Sequence, residues 1–190
     1  MKKIPQGTIS IKGRKSGHAF LIREAREEDA EQIIRHSRLM FSSTDQLLNT
    51  VEEYTIGVDD EKTWISRLNQ NPDALLLVAF QGKELVGFLF FLPNTKKKIA
   101  HTGEFGVNVH PSHQGEGIGK AMAETLLVWA NNNIHIEKVY LTVFATNSQA
   151  IALYKALGFR EEGRLVKGAK QLSGEYVDIL QMYLETKEKA

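Results

Sequence analysis

Between Val107 and Glu124 the chain reads VNVHPSHQGEGIGKAMAE. An alternating strand passes a proline, places Gly115, Gly117 and Gly119 within five residues, and becomes a helix. Glycine is a poor helix starter unless something must approach the backbone closely. A strand–glycine turn–helix unit presents unpaired N–H groups at the positive end of the helix dipole, which is an anion site and above all a phosphate site. A turn that only reverses the chain needs one glycine; three at this spacing argue for a cradle.

Two common cradles fail at specific positions. A Walker A loop needs glycine at 114 and a hydroxyl residue after the lysine, where this chain has Gln114 and Ala121. The dinucleotide fingerprint needs glycine at 120 and an acidic residue at the next strand end, where Lys120 and Ala145 stand. What is left is Gln-x-x-Gly-x-Gly on Gln114, Gly117 and Gly119, followed further on by TNSQAIALYKALGF.

These two segments resemble the GNAT superfamily of acyl-CoA-dependent N-acyltransferases. The first is similar to that family's pyrophosphate-binding signature. The second matches its Asn-x-x-Ala-x-x-Leu-Tyr-x-x-x-Gly-Phe pattern at Asn147, Ala150, Leu153, Tyr154, Gly158 and Phe159. The resemblance follows element order from about Phe20 to Leu184 and is sharp from Glu104 to Phe159. Many members carry a basic residue at position 114 or 116; here those are Gln114 and Glu116, so the cradle relies on backbone amides helped by Lys120.

The resemblance implies transfer of an acetyl group from acetyl-CoA to an amine. It assigns cofactor contact to Val107, Asn108 and Val109 on the strand. It also assigns Gln114, Gly115, Glu116, Gly117, Ile118, Gly119 and Lys120 in the turn, and Asn147 and Tyr154 on the later helix. The strand EFGVNVH is expected to splay from VYLTVFA, freeing amides and carbonyls for the pantetheine arm, with Gly106 as a bulge and the Val107 N–H facing the thioester oxygen. By pattern alone Tyr154 is a core aromatic; the resemblance makes it the general acid that returns a proton to the leaving thiolate. Glu104 is the expected base, acting through water, against the plainer reading of a surface glutamate. His101 is an alternative base, and His110 and His113 flank the cradle as solvated or phosphate-side residues. Asn147 caps its helix and also meets the pantetheine arm.

The elements that must position these groups can be traced along the chain. TISIK, GRKSG and HAFLIRE read as an N-terminal hairpin at a sheet edge, so residues 1–17 form an extension and 18–185 the GNAT-like domain. REEDAEQIIRHSRLMF has a helical apolar stripe at Ala30, Ile33, Ile34 and Met40 or Phe41. DDEKTWISRLNQ is a second helix capped by Asp59 or Asp60. ALLLVAF and LVGFLFFL form a buried hairpin, and IAHTGEFGVNVH a long strand whose two glycines suggest a bulge. The cradle helix runs to about Asn132 with Ile118, Met122, Leu126 and Trp129 inward. KVYLTVFA is a strand, and the next helix opens with a Thr146/Gln149 capping box and ends at Gly158. FREEGRLVK and EYVDILQMYLE are the last strands, and TKEKA a frayed tail. The fold class is α/β, a single mixed and mostly antiparallel sheet, splayed at its middle strands, with helices on both faces.

The 190 residues suit one domain with a short appendage, and 24 Lys plus Arg against 23 Asp plus Glu give a net charge of +1, without the basic bias of a nucleic-acid binder. No apolar run is long enough to span a membrane, and no leader-like apolar region follows the first lysines. The absence of cysteine is compatible with a cytoplasmic protein and excludes thiolate chemistry. No His/Asp/Glu cluster has metal-ligand spacing, so no metal is expected. The acceptor is a small-molecule amine or a peptide N-terminus. Acidic TVEEY and VDDEK either attract a cationic amine or are solvated. The resemblance extends to edge-strand homodimers. The rival readings are a non-catalytic acyl-CoA-binding module, which needs the cradle but not Tyr154, and a nucleotide-binding protein.

Overall fold

The computed structural model describes residues 7–186. Eight strands form one sheet in the order β1-β2-β3-β4-β5-β6-β8-β7. The first four are β1 (Thr8–Lys12), β2 (Ala19–Glu24), β3 (Leu75–Gln81) and β4 (Glu84–Pro93). They are followed by β5 (Thr102–Val109), β6 (Lys138–Phe144), β7 (Arg160–Lys170) and β8 (Tyr176–Glu185). Every neighbouring pair is antiparallel except β5 and β6. The helices are α1 (Ala30–Ser43), α2 (Val58–Gln70), α3 (Ile118–Asn132) and α4 (Ser148–Ala156). The fold is therefore the mixed, mostly antiparallel α/β sheet that the element order implied.

Alternation in β3 explains why the sheet is covered on both sides. Leu75, Leu77 and Ala79 join one core with Ile118, Met122, Leu126 and Trp129 of α3. Leu76, Val78 and Phe80 join the other with Ala30 and Ile33 of α1 and Ile65 and Leu68 of α2. A side chain as fully buried as Ile118 or Met122 stabilises the fold by roughly 1.5–3 kcal/mol relative to exposure. This apolar face anchors α3, and so the turn that precedes it.

Three local expectations change. The β4–β5 ladder runs without a break from Gly87–Val109 to Pro93–Gly103, so neither strand glycine is a bulge; the nearest irregularity is in the β3–β4 ladder, where Val86 of β4 is the extra residue opposite Ala79 and Phe80. Gly103 and Gly106 are glycines because aromatic rings of β4 lie over them. A Cβ at Gly106 would sit 2.6 Å from the Phe90 ring, and one at Gly103 would collide with Phe91. The N-cap of α2 is Gly57 rather than Asp59 or Asp60, since the helix begins at Val58. The capping box of α4 is replaced by Asn147, whose Oδ1 accepts from the Ala150 N–H at 3.1 Å while the Thr146 hydroxyl donates to Gln46.

At the C-terminus Thr186 is buried and donates its hydroxyl to the Ile136 carbonyl at 2.9 Å, so it is not frayed; the rest of the expected tail lies outside the described residues. Among the described residues no helix is long and apolar enough to cross a membrane.

Candidate active site

The cradle takes the shape that three glycines permit. Gly115 and Gly117 have φ of 80° and 89°, left-handed values that strain other residues, and Gly117 is the N-cap of α3. The Ala121 N–H is bonded to the Gly117 carbonyl at 3.0 Å, so the amides of residues 118–120 precede the first helical bond and point out of the helix end. Gly119 has another reason to be glycine. A Cβ there would meet only Val109 at 3.5 Å and Leu153 at 3.9 Å, so the protein leaves room for it. The space it would enter is a cavity of about 420 Å³ lined by Val107, Val109, Gln114, Gly117, Ile118, Gly119, Lys120, Asn147 and Tyr154. Open space against a helix N-terminus fits a phosphate-bearing cofactor. Asn108 and Gly115 also line the cavity; Lys120, half exposed, pairs with Glu124 at 3.5 Å.

The strand beside the cradle is open on one side. β5 and β6 pair only at Thr102–Lys138, Gly103–Val139 and Glu104–Tyr140, after which they part. Beyond Glu104, β5 is laddered to β4 alone, and β6 to β8 alone. The His110 N–H donates to the Val86 carbonyl of β4 at 2.9 Å. Backbone groups alternate along a strand, so the N–H groups of Val107 and Val109 face away from β4, into the gap. The Gln114 side-chain amide already reaches the Val109 carbonyl there at 3.3 Å. The gap thus offers an extended ligand a free strand edge.

A second cavity, of about 850 Å³, lies on the α1–α2 side of the splay. Tyr154, Asn147, Val107 and Asn108 line both cavities, so the two meet where β5 leaves β6. Tyr154 is buried, edge-on to Phe105, and burial pushes its phenol up to about 12. It therefore holds its proton at neutral pH. Glu104 lines the second cavity and accepts from the Thr142 hydroxyl at 3.1 Å, across the opening of the splay.

Three functional candidates were missed at the level of sequence. Glu61 stood in an acidic run that read as solvated, yet it is 3 % exposed and lines the second cavity with Tyr54, Trp64, Phe88 and Phe90. Burial pushes its carboxyl up to about 7. Its place in the first turn of α2 was legible; its inward direction depends on how α2 packs. His36 is buried in α1 with Nε2 2.6 Å from the Asn108 Oδ1 and Nδ1 unpaired, and burial above all lowers it to about 4. Asn108 is thus held through its side chain by α1. The third is Arg14, which lines the cradle from the β1–β2 turn.

Of the remaining expected residues, His113 lines the cradle cavity, whereas His101, His110 and Glu116 line neither. Glu116 turns its carboxylate to that same β1–β2 turn rather than into the cradle. His110 caps a 3-10 turn at Pro111–His113, and His113, at the cradle side, bonds Gln81 at 2.6 Å. Among the described residues no cluster of three or more His, Asp or Glu could hold a metal.

A splayed β5, a glycine turn at the start of α3 and a tyrosine on α4 are the features expected of an acyl-CoA-dependent acyltransferase. Residues 40–159 match the family model described as the Acetyltransferase (GNAT) family, and the chain belongs to that family. It is 29 % identical over 163 residues to an L-amino acid N-acetyltransferase of Escherichia coli, spanning 86 % of this chain and 96 % of the relative. It is 28 % identical over 133 residues to the spermidine N(1)-acetyltransferase of Vibrio cholerae, spanning 70 % and 75 % of the two chains. Among solved structures, a GNAT-family acetyltransferase from Streptococcus pneumoniae superposes with a TM-score of 0.84 at 22 % identity, over 88 % of this chain and 99 % of that one. An acetyltransferase from Salmonella typhimurium, solved with acetyl-CoA, gives 0.80 at 23 % identity over 90 % and 96 %. The protein is accordingly an N-acyltransferase of the GNAT family.

Proposed function

We propose that the protein moves an acetyl group from acetyl-CoA to the primary amine of a small cationic or amphipathic molecule. The observation that carries this is the junction of the two cavities at Val107, Asn108, Asn147 and Tyr154. One cavity has the anion-binding end of α3; the other has a buried carboxylate among aromatic rings, a setting that suits an ammonium through charge and cation–π attraction. The relatives named for amino-acid and spermidine acetylation support an amine of that size. A peptide N-terminus is the other acceptor of this class.

Acetyl-CoA supplies the acetyl group as an activated thioester. The open edge of β5 orients the extended arm, and the Val107 N–H donates to the thioester oxygen as charge develops there. Asn147, with its Oδ1 committed to capping α4, keeps its amide N–H groups for the arm. An alkyl ammonium has a pKa of about 10.4, so it must lose a proton before attack. Glu104 takes that proton through water, and Glu61 holds the acceptor's positive charge in the cavity. As the neutral amine forms the C–N bond and the C–S bond breaks, Tyr154 donates its hydroxyl proton to the leaving sulfur, and the second proton shed by the acylated nitrogen restores the phenol. A phenol held near 12 is a weak acid in water, but positioned donation as the sulfur gains charge does not require it to ionise first.

The test is thiol release from acetyl-CoA across a panel of amines, with Tyr154→Phe as the comparison. The ring stays, so packing against Phe105 and Phe159 should survive. Turnover should fall about a hundredfold to ten-thousandfold with acetyl-CoA affinity unchanged. Turnover within about twofold of the parent would make Tyr154 a core aromatic. No thiol release with any amine, despite acetyl-CoA binding, would favour a binding module instead.

A further inference from the structure

The cradle turn carries Gln114 and Glu116 where many members of the resembled family have a basic residue, and the structure brings cations to it from elsewhere. The turn between β1 and β2, Gly13–His18, closes through Gly13 N–H to His18 O at 2.8 Å and is laid against the glycine turn, about a hundred residues away in sequence. Glu116 holds it there. Its carboxylate accepts from the backbone N–H of Lys15 at 2.8 Å and of Ser16 at 3.1 Å, and its carbonyl accepts from the Arg14 N–H at 3.2 Å. The Lys15 backbone N–H is also the main reason the Glu116 carboxyl is held below the usual range. Gly13 is part of the fit, since a Cβ there would lie 2.6 Å from Glu116 Oε2.

This clasp sets two cations over the cradle. A Cβ added at Gly117 would lie 3.2 Å from the Arg14 Nε, and one at Gly115 would run into the Lys15 ammonium. Lys15 Nζ donates to the Gln114 carbonyl at 3.0 Å. The Arg14 guanidinium lines the cradle cavity and has no hydrogen-bond or ion-pair partner among the described residues. A positive group left unpaired at the rim of an anion site is poised for an anion, and guanidinium takes phosphate oxygens two at a time.

We propose that the β1–β2 turn is a cationic flap of the cofactor site, in which Arg14 and Lys15, clasped by Glu116, bind the phosphate groups of acetyl-CoA. Glu116 then replaces a direct basic contact by an indirect one: an acidic residue in the cradle recruits positive charge from another part of the chain. The inference rests on the reading of the cradle as the acetyl-CoA site.

Calorimetric titration of acetyl-CoA and of its 3′-dephospho analogue tests it, using the parent, Arg14→Ala/Lys15→Ala and Glu116→Gln. The double variant should bind acetyl-CoA roughly ten- to a hundredfold more weakly at low salt, and its affinity should depend less on ionic strength. Glu116→Gln, which leaves both cations in the chain, should shift affinity in the same direction. A loss that disappears with the dephospho analogue assigns the contact to the 3′-phosphate; an equal loss assigns it to the pyrophosphate. Double-variant binding within about twofold of the parent removes the flap and leaves the cradle reading standing. A parent that binds no acetyl-CoA removes the cradle reading and the flap with it.

Discussion

Glu61→Gln should change how stability depends on pH in a way that wild type conceals. Burial raises the Glu61 carboxyl from an ordinary 4.5 to about 7, so between those values the folded protein keeps a proton that the unfolded chain has lost. Stability from Glu61 is therefore full below pH 4.5 and declines until about pH 7. His36 does the reverse. Burial lowers it from 6.5 to about 4, so its stability is full above 6.5 and is lost as pH falls toward 4. Each shift taken at face value is worth about 3 kcal/mol, since tenfold in proton affinity is about 1.4. Glu61 faces a cavity open to solvent, which reduces its share to about 1–2 kcal/mol. The two slopes oppose each other over their shared range, about pH 4.5–6.5, so in wild type the rise due to His36 is partly cancelled by Glu61. Unfolding free energies measured at about pH 5, 5.75 and 6.5 should therefore climb only shallowly in wild type. In Glu61→Gln the climb should be steeper, about 2 kcal/mol across that range, because the opposing Glu61 shift is gone. Glu116, Glu162 and Asp178, all held low by hydrogen bonds, lose their contributions only below this range and do not disturb the comparison. If the variant runs parallel to wild type at every pH, Glu61 is an ordinary solvated carboxylate and its role as the ammonium anchor fails with it.

Gly119→Val should abolish acetyl-CoA binding, a loss above about a hundredfold in titration, while thermal unfolding moves by only a few degrees; its Cβ meets the protein at ordinary distances but occupies the cradle. Gly117→Val is the poorer probe, because a φ of 89° would strain any branched residue before a ligand is considered. Glu104→Gln should depress the acidic limb of the rate–pH profile with acetyl-CoA affinity intact, and an unchanged profile would assign the proton to bulk water or to another group.

The sequence determined most of what repeats along the chain. The strand alternation of LLLVAF, the apolar stripe of α3 and the φ demands of Gly115 and Gly117 are properties of a few neighbouring residues, and they sufficed for the sheet, the helices and the cradle. Side-chain direction at isolated polar positions was decided only by tertiary packing. Glu61 and Asp60 are adjacent in one helical turn, yet Glu61 is buried, because α2 packs with the face that carries Glu61 and Trp64 toward the Phe88 and Phe90 rings of β4. Gly106 read as a bulge because nothing local announces that a Phe90 ring covers it from the next strand. Glu116 read as a cofactor contact for a related reason. Its backbone does belong to the cradle turn, but its carboxylate is taken by the N–H groups of Lys15 and Ser16. Local rules act over a few residues, whereas burial and pairing are set by whichever distant segment the fold brings into contact. That is why the cradle could be read from eighteen consecutive residues, and the charge above it only once β1 and β2 were folded against α3.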